Sequence, residues 1–264
     1  MRFGICAPFQ EVARLPRISF DYLEEHVQRF LIPEQPHEEF AALLAEARTL
    51  PVPIEAANSF FPPHIPLIAT PARPIDAARI ERYVKTALQR AQEIGIRILI
   101  FGSGGARACP EGYAREEAAR QLTDHLATWC EWARPYGVEI ALEPLSHNET
   151  NMFNTVAESG AVVSSIAQTG ARLLADLYHM QNNHEDPETI LPWASLLAHV
   201  HVAEHEGRSA PGQYGDDFRH AFSVLHRGNY DQRISIECHW HDLATEAERG
   251  IVVLREQWAA SAVL

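Results

Sequence analysis

The 264-residue chain is acidic, with 22 Lys and Arg residues against 35 Asp and Glu residues and a formal net charge of −13. Nucleic acids and anionic membranes require a basic face on their partner, so we expect neither here. A small neutral substrate or a metal cation fits this charge better. Hydrophobic residues make up 46% of the chain, which is enough for a sizeable core.

The sequence carries no signal of a membrane span, a secretory leader or a disulfide framework. No apolar run approaches the about 20 residues that cross a bilayer. The first residues, MRFGICAPFQ, are typical of a strand rather than a signal peptide. The cysteines form no Cys-x-x-Cys pair; they are Cys6, Cys109, Cys130 and Cys238. We therefore expect a reduced, cytoplasmic protein.

Short apolar segments alternate with longer amphipathic ones along the chain. The predicted strands cover residues 2–8, 20–27, 52–61, 96–104, 138–145, 171–179, 197–205 and 233–240. The predicted helices cover residues 36–49, 74–94, 115–136, 155–168, 187–196, 217–228 and 243–260. Helical crossovers between strands indicate a parallel sheet. Eight strand–helix units in about 250 residues predict an α/β fold, a closed (β/α)8 TIM barrel, as a single domain over residues 1–264.

A doubly wound open sheet is the alternative fold. That fold usually places a Gly-rich nucleotide-binding turn after its first strand. The corresponding turn here, APFQEVARLP, contains no glycine. The closed barrel is therefore the favoured prediction.

Two loops between the predicted elements have an unusual composition. The segment 59–74 contains five prolines and is predicted to be an ordered excursion after the third strand, suited to a lid over the barrel mouth. The segment 101–112, FGSGGARACPEG, is rich in glycine. It fits either a phosphate cradle built from backbone N–H groups or a flexible loop after the fourth strand.

Polar side chains lie at the ends of four predicted strands in the second half of the chain. Glu143, Asp176 and Glu237 end the fifth, sixth and eighth strands, and His201 lies toward the end of the seventh. Each one alone is more typical of a helix cap or an ion-pair partner. The C-terminal strand ends of a TIM barrel surround its active site, however, and here four strands supply such residues at one level.

The alternation of side chains predicts which face these residues occupy. In the seventh strand, Leu197, His199, His201 and His205 share one face, and the intervening valines take the other. Glu143 and Glu237 likewise alternate with apolar neighbours. The polar sets are therefore predicted to point into the barrel, with His199 as a hydrogen-bonded core histidine one layer deeper than His201.

Three buried carboxylates that converge on one point repel each other, and a divalent cation removes that repulsion. We therefore predict that Glu143, Asp176, His201 and Glu237 bind one divalent metal ion. Ligation by three carboxylates and one imidazole favours Mn²⁺, with Mg²⁺ and Co²⁺ as alternatives, over a structural zinc. Four protein ligands leave one or two coordination positions open for a substrate.

These motifs resemble those of the xylose-isomerase-like TIM-barrel superfamily of sugar isomerases and epimerases. The nearest types are the ketose 3-epimerases for D-tagatose and D-psicose and hydroxypyruvate isomerase. Family members hold one divalent metal with a Glu, an Asp, a His and a second Glu from strands five to eight. These ligands match Glu143 in ALEPL, Asp176 in ADLYHM, His201 in HVHVAEHEGR and Glu237 in SIECHW.

The resemblance also implies residues that bind the substrate. The epimerases place a second Glu six residues after the first, a His three residues after the Asp, and an Arg just before a Pro-Gly. These positions match Glu149 in EPLSHNE, His179 in ADLYHM and Arg208 in GRSAPG. The resemblance further implies a small-molecule sugar substrate and a homodimer or homotetramer.

A mechanism follows from the resemblance. A 2-keto, 3-hydroxy sugar would chelate the metal, which would stabilise the enediolate formed when the α-proton leaves. Glu143 and Glu237, on opposite sides, would exchange that proton. Return of the proton to the opposite face epimerises the sugar, and return to the neighbouring carbon isomerises it.

Three other functions stay open from the sequence. An eliminase or lyase acting on a 3-keto sugar or glycoside would share the first proton abstraction. The same superfamily contains a DNA-repair endonuclease, whose site holds three metals and has many more His and Asp ligands. The segment YGDDFRHAF, after the seventh strand, lacks the Asp-x-His that is expected of such an endonuclease. The third alternative is a barrel that has lost catalysis and only binds a sugar or a partner subunit. Measuring the metal content of the purified protein would distinguish this alternative from the enzymes.

Overall fold

Eight parallel strands close into a barrel in the computed structural model, which describes residues 1–262. Each strand pairs with its neighbour in chain order, and the eighth returns to the first. The strands are β1 (Arg2–Cys6), β2 (Tyr22–His26), β3 (Ile54–Asn58), β4 (Ile98–Phe101), β5 (Glu139–Leu142), β6 (Arg172–Asp176), β7 (Leu197–Val202) and β8 (Arg233–Ile236). The predicted TIM barrel is confirmed, and the open sheet is excluded.

Helices follow the strands around the barrel. The α-helices are α1 (Phe9–Val12), α2 (His37–Ala47), α3 (Ala77–Ile94), α4 (Gly104–Arg107), α5 (Arg115–Ala133), α6 (Val156–Ser165), α7 (Leu177–Asn182), α8 (Arg219–Arg227) and α9 (Leu243–Ser261). The predicted helix over 187–196 forms as a 3₁₀ helix instead, with Pro192 inside it. A proline lacks the N–H that an α-helical turn needs. None of the helices in the described part of the chain is long and apolar enough to cross a membrane.

The two faces of the sheet carry separate apolar clusters. Phe101 of β4 points outward and packs edge to face against Trp129 of α5, with ring centroids 5.2 Å apart. Ile98 and Ile100 of the same strand join Ala141 of β5 in a smaller cluster built only from strand residues. This smaller cluster fills the barrel interior, so the alternation predicted for β5 is correct.

Strand β7 contains an irregularity that the alternation rule misses. β7 has one more residue than its partner β6, at Ala198, and a bulge of this kind shifts the alternation by one position. Leu197 therefore packs in the outer cluster, and the prediction that it shares a face with His199 is wrong. His199 and His201 both point inward, whereas His205 lies beyond the end of the strand and is exposed.

Charged side chains close the N-terminal end of the barrel. Glu55 of β3 forms ion pairs with Arg2 of β1 and with Arg233 of β8, the latter with an Nε–Oε2 distance of 2.7 Å. These side chains reach across the barrel axis. The C-terminal strand ends, where the predicted site lies, form the opposite end.

Candidate metal centre and active site

The four predicted metal ligands come together at the C-terminal end of the barrel. Each of the four residues offers one ligand atom, and these four atoms all lie within 4.8 Å of one another. Nδ1 of His201 is 3.0 Å from Oε1 of Glu143, 3.4 Å from Oε2 of Glu237 and 3.9 Å from Oδ2 of Asp176. Parallel strands end at the same edge of a closed barrel, so residues far apart in sequence meet there.

The environment of Asp176 fits a metal ion. Its Oδ1 accepts the backbone N–H groups of Tyr178 and His179 and so caps the start of α7. Its Oδ2 is buried, and no described residue hydrogen-bonds to it. A buried carboxylate oxygen without a donor costs free energy. A divalent cation among these oxygens would remove that cost, so the residues present fit the predicted metal.

The charged groups of this cluster shift each other's pKa values. Burial raises the pKa of Glu143, and the Glu237 and Asp176 carboxylates add to that rise. Burial also opposes the charged form of Glu237, but His201 and Arg208 outweigh it and lower its pKa to about 2. Burial likewise opposes the charged imidazolium of His201, yet neighbouring carboxylates hold its pKa well above its usual value. A cation bound beside Nδ1 would replace that proton.

The three residues predicted to bind substrate border the same cluster. His179 is buried, and its Nδ1 lies 3.9 Å from Oε1 of Glu149. The guanidinium of Arg208 hydrogen-bonds to the carboxylate of Glu237 and lies 3.4 Å from Oε1 of Glu149. The structure therefore brings together all seven residues that the sequence selected.

The backbone of Arg208 has an uncommon conformation. Its φ of 50° lies in the left-handed region, which residues other than glycine rarely adopt. The preceding Gly207 has a φ of 65°, and the carbonyl of Arg208 accepts the N–H of His239 at 2.8 Å. The turn after β7 thus directs the guanidinium back over the barrel mouth, where the ring of Tyr178 lies 4.8 Å below it.

A cavity of about 250 Å³ opens beside the cluster. Most of its lining is polar. The lining residues are Gln28, Ser59, Phe61, Pro63, Ser103, Gly104, Gly105, Glu143, Leu145, Glu149, His179, Arg208 and Glu237. The cavity can therefore hold a small polar molecule in contact with both Glu143 and Glu237.

The Pro-rich segment 59–74 forms one wall of this cavity. Its backbone is held at Leu67, which donates a hydrogen bond of 3.0 Å into α4, and at Ala69, which exchanges two hydrogen bonds with the side chain of Gln121. Pro63 packs against Gly105. Ser59, Phe61 and Pro63 of the segment line the cavity, and these bonds tie the rest of it to α4 and α5. Its role as a lid stays a prediction.

The Gly-rich segment 101–112 allows the backbone to approach the site closely. A Cβ atom on Gly102 would lie 2.1 Å from Oε2 of Glu143, and one on Gly104 would lie 2.8 Å from the carbonyl oxygen of Glu149. The Glu143 carboxylate therefore lies directly against this loop. A negative group at that position disfavours the phosphate-cradle interpretation.

Sequence analysis missed Glu24, which lies at the centre of the barrel. This side chain is fully buried, and its Oε1 is 2.9 Å from Nε2 of His201. Its Oε2 is 2.7 Å from both Nε2 of His199 and Oγ of Ser235. The strand YLEEHV carries glutamates on both faces, at Glu24 and Glu25, and both are buried, so alternation alone does not show which one points into the barrel.

Asn58 is a second residue that sequence analysis missed. It ends β3, and its Nδ2 donates a hydrogen bond of 2.9 Å to Oε1 of Glu237. A polar residue at a strand end is the same signal that selected Glu143 and Asp176. Applied to the first half of the chain, that signal identifies Asn58 as well.

The sequence matches one protein family over most of its length. The profile of the family described as xylose isomerase-like TIM barrel covers residues 12–257. Hydroxypyruvate isomerase of Escherichia coli (strain K12) is 21% identical over 131 residues, which are 48% of this chain and 51% of that protein. The 3-dehydro-D-guloside 4-epimerase of the same strain is 29% identical over 120 residues, 45% of each protein.

Structural similarity extends further along the chain than sequence similarity to individual proteins. The crystal structure of a D-psicose 3-epimerase in the presence of D-fructose has a TM-score of 0.75 and covers 99% of this chain and 96% of that one, at 18% identity. Identity this low establishes a common fold only. The sequence matches span about half the length of the two relatives.

Proposed function

Because the chain belongs to the xylose isomerase-like TIM barrel family, as the sequence motifs indicated, we propose that it is a divalent-metal-dependent sugar isomerase or epimerase acting on a ketose or keto sugar. One observation carries the proposal. Four side chains from separate strands surround one point at the barrel mouth, and the buried Oδ2 of Asp176 lies there without a described hydrogen-bond donor.

In this proposal Glu143, Asp176, His201 and Glu237 hold the metal ion. The oxygen-rich set supports Mn²⁺, with Mg²⁺ or Co²⁺ as alternatives. When bound, the cation would polarise the carbonyl of the substrate and offset the negative charge that proton removal leaves on its oxygen.

We assign the proton transfers to Glu143 and Glu237. These residues follow β5 and β8, and both line the cavity. One carboxylate removes the proton from the carbon beside the carbonyl, and the other returns a proton. Return to the opposite face of the same carbon gives epimerisation, whereas return to the neighbouring carbon gives isomerisation.

Three further residues are proposed to orient the sugar. Glu149 and His179 line the cavity on the side of α7, and Arg208 covers it from the turn after β7. Carboxylate, imidazole and guanidinium groups together offer acceptors and donors for hydroxyl groups and for a carbonyl oxygen.

The charges around the cavity support a neutral substrate. Arg208 is the only Lys or Arg among the cavity-lining residues that the structure describes, and it already contacts Glu237 and Glu149. Glu143, Glu149 and Glu237 supply three carboxylates to the lining. Apart from the proposed metal ion, a phosphorylated sugar or a carboxylic acid such as hydroxypyruvate would find no free Lys or Arg side chain in this lining to bind its charge. We therefore propose an unphosphorylated, uncharged sugar.

An eliminase acting on a 3-keto sugar or glycoside remains the second candidate. Similarity to 3-dehydro-D-guloside 4-epimerase favours keto sugars of this kind as test substrates. Elimination shares the first proton abstraction with epimerisation, after which a β-substituent leaves.

Three further properties stay predictions: a cytoplasmic location, a single domain over residues 1–264, and a homodimer or homotetramer.

The experiment that tests the proposal is exchange with solvent deuterium. Protein loaded with Mn²⁺ is incubated in D₂O with a panel of ketoses and 3-keto glycosides, and the sugars are read by proton NMR after the metal is removed. Protein treated with EDTA and the Asp176→Asn variant are the controls. We expect deuterium at the carbon beside the carbonyl and a new epimer or isomer only with loaded wild-type protein. The absence of both exchange and elimination would leave a barrel that only binds.

A further inference from the structure

His201 presents its two ring nitrogens to different carboxylates. Nδ1 faces the barrel mouth, 3.0 Å from Oε1 of Glu143. Nε2 faces the barrel interior, 2.9 Å from Oε1 of Glu24. His201 and Glu24 are both fully buried, so water does not compete for the contact between them.

The carboxylate of Glu24 is itself held in place. Its second oxygen lies 2.7 Å from Nε2 of His199 and accepts a hydrogen bond from Oγ of Ser235. Oγ of Ser235 is 2.8 Å from the hydroxyl of Tyr22, whose ring lies against Gly4 so tightly that a Cβ there would be 2.4 Å away. Glu24 therefore has little freedom to move relative to His201.

The partners of Glu24 are unusual for a buried carboxylate. In the described part of the chain it forms ion pairs with the two histidines and with no Lys or Arg. A buried carboxylate paired only with imidazole rings is suited to select the protonation and orientation of those rings.

We propose that Glu24 is a positioning residue that accepts the Nε2–H of His201 and thereby leaves Nδ1 unprotonated and directed at the metal. This inference rests on the metal site of the proposed function. Carboxylates that hydrogen-bond to a ligand histidine fix its tautomer and ring orientation and raise its basicity in other metal sites. Glu24 acts here through His201 and does not touch the substrate cavity.

The experiments below separate this positioning role from a second role, in which Glu24 is itself a metal ligand. Glu24, Cys6 and His201 also place ligand atoms within 4.8 Å of one another. A metal bound there would use Nε2 of His201 instead of Nδ1. The buried Oδ2 of Asp176, to which no described residue hydrogen-bonds, lies on the Nδ1 side, which favours that nitrogen.

The first experiment measures metal affinity in Glu24→Gln, which keeps the shape of the side chain and removes its charge. Co²⁺ is titrated into metal-free protein and followed by its visible absorption. The matched control is Tyr22→Phe, which alters the same network without removing the contact to His201. We expect about 10- to 100-fold weaker Co²⁺ binding and an altered spectrum in Glu24→Gln, with wild-type affinity in Tyr22→Phe.

A second measurement does not depend on whether Glu24→Gln folds. Long-range ¹H–¹⁵N NMR of Zn²⁺-loaded wild-type protein reports which nitrogen of His201 carries the proton, with His201→Gln used to assign the signals. We expect a proton on Nε2 only. A proton on Nδ1, or wild-type Co²⁺ affinity in a folded Glu24→Gln protein, would overturn the positioning role alone. Failure of the wild-type protein to bind any divalent metal would overturn the proposed function with it.

Discussion

Gly102 and Glu143 are in direct contact: a Cβ atom at position 102 would lie 2.1 Å from Oε2 of the Glu143 carboxylate. Real Cβ atoms do not approach an oxygen this closely, so residue 102 must be glycine for this carboxylate to occupy its position. Gly102 follows the last residue of β4, and Glu143 follows the last residue of the neighbouring β5. The position of a proposed catalytic carboxylate therefore depends on a residue of a different loop.

The Gly102→Ala variant should lower activity because the added methyl group displaces Glu143. A displacement of about 1 Å can cost roughly 100-fold in rate, so we expect a fall in kcat of that order. Steady-state kinetics and the melting temperature are to be measured together. Gly105→Ala is the matched control, since its methyl group meets Pro63 instead of a carboxylate. Equal kcat values in the two variants would contradict the prediction.

Asp176→Asn should abolish tight metal binding and leave the fold intact. Its Oδ1 caps α7, and an asparagine keeps that oxygen, whereas Oδ2 becomes an amide nitrogen. A ligand that binds only the folded state stabilises it by about 2.7 kcal/mol at 100 times its Kd. We therefore expect Mn²⁺ to raise the melting temperature of the wild type but not of the variant. An unchanged melting temperature and activity of the wild type in EDTA would refute the metal site.

The two histidines of β7 should respond differently to substitution. His201→Ala removes a proposed ligand and should lose metal. His199→Gln should keep metal and lose about 1–3 kcal/mol of unfolding free energy, because it disturbs a buried hydrogen bond to Glu24. Metal analysis and urea unfolding of both variants provide the check. The reverse pattern would mean that the roles of the two residues are exchanged.

Glu237→Gln should separate the two proton transfers. The glutamine keeps the shape of the side chain and its hydrogen bond with Asn58, but it no longer accepts a proton. Because Glu237 is also a proposed metal ligand, the variant is assayed at saturating Mn²⁺. Epimerisation requires a base on each face and should fall below detection, while exchange of the α-proton through Glu143 persists in the metal-loaded variant. Product analysis and deuterium incorporation are to be measured in the same reaction. Epimerisation at the wild-type rate would remove Glu237 from the proton transfer.

His26 should make the unfolding free energy depend on pH. Its Nδ1 is buried without a hydrogen-bond partner among the described residues, and burial, with Arg29 adding to it, lowers its pKa from 6.5 to about 4. Between these values the unfolded chain binds a proton that the folded chain does not. The part of the unfolding free energy that depends on His26 is therefore highest above pH 6.5 and falls, by at most about 3 kcal/mol, as the pH drops to 4.

The His26→Gln variant isolates this contribution. Urea unfolding of wild type and variant in EDTA, at pH 7 and at pH 4.5, gives the difference at each pH. We expect the wild type to lose more unfolding free energy than the variant on acidification. Parallel losses would show that His26 titrates normally in the folded protein.

The sequence by itself determined the barrel and the residues at its mouth. Strands and helices differ in the period of their apolar residues, so eight alternating units are readable in one dimension. Parallel strands all end on one side of a barrel, so Glu143 and Asp176 can be assigned to one site without a structure. Both inferences depend only on local pattern and on the geometry that all such barrels share.

Only the tertiary structure decided which neighbouring residues hold these side chains in position. Glu24 and His201 are 177 residues apart, and their contact depends on the closure and register of the barrel. The bulge at Ala198 changes which residues of β7 face inward, and the alternation of apolar and polar residues in the sequence does not predict this bulge. The need for glycine at 102 arises from the neighbouring strand. The burial of a side chain and its contacts with distant residues arise only when two segments come together in space. Neither segment alone therefore predicts them.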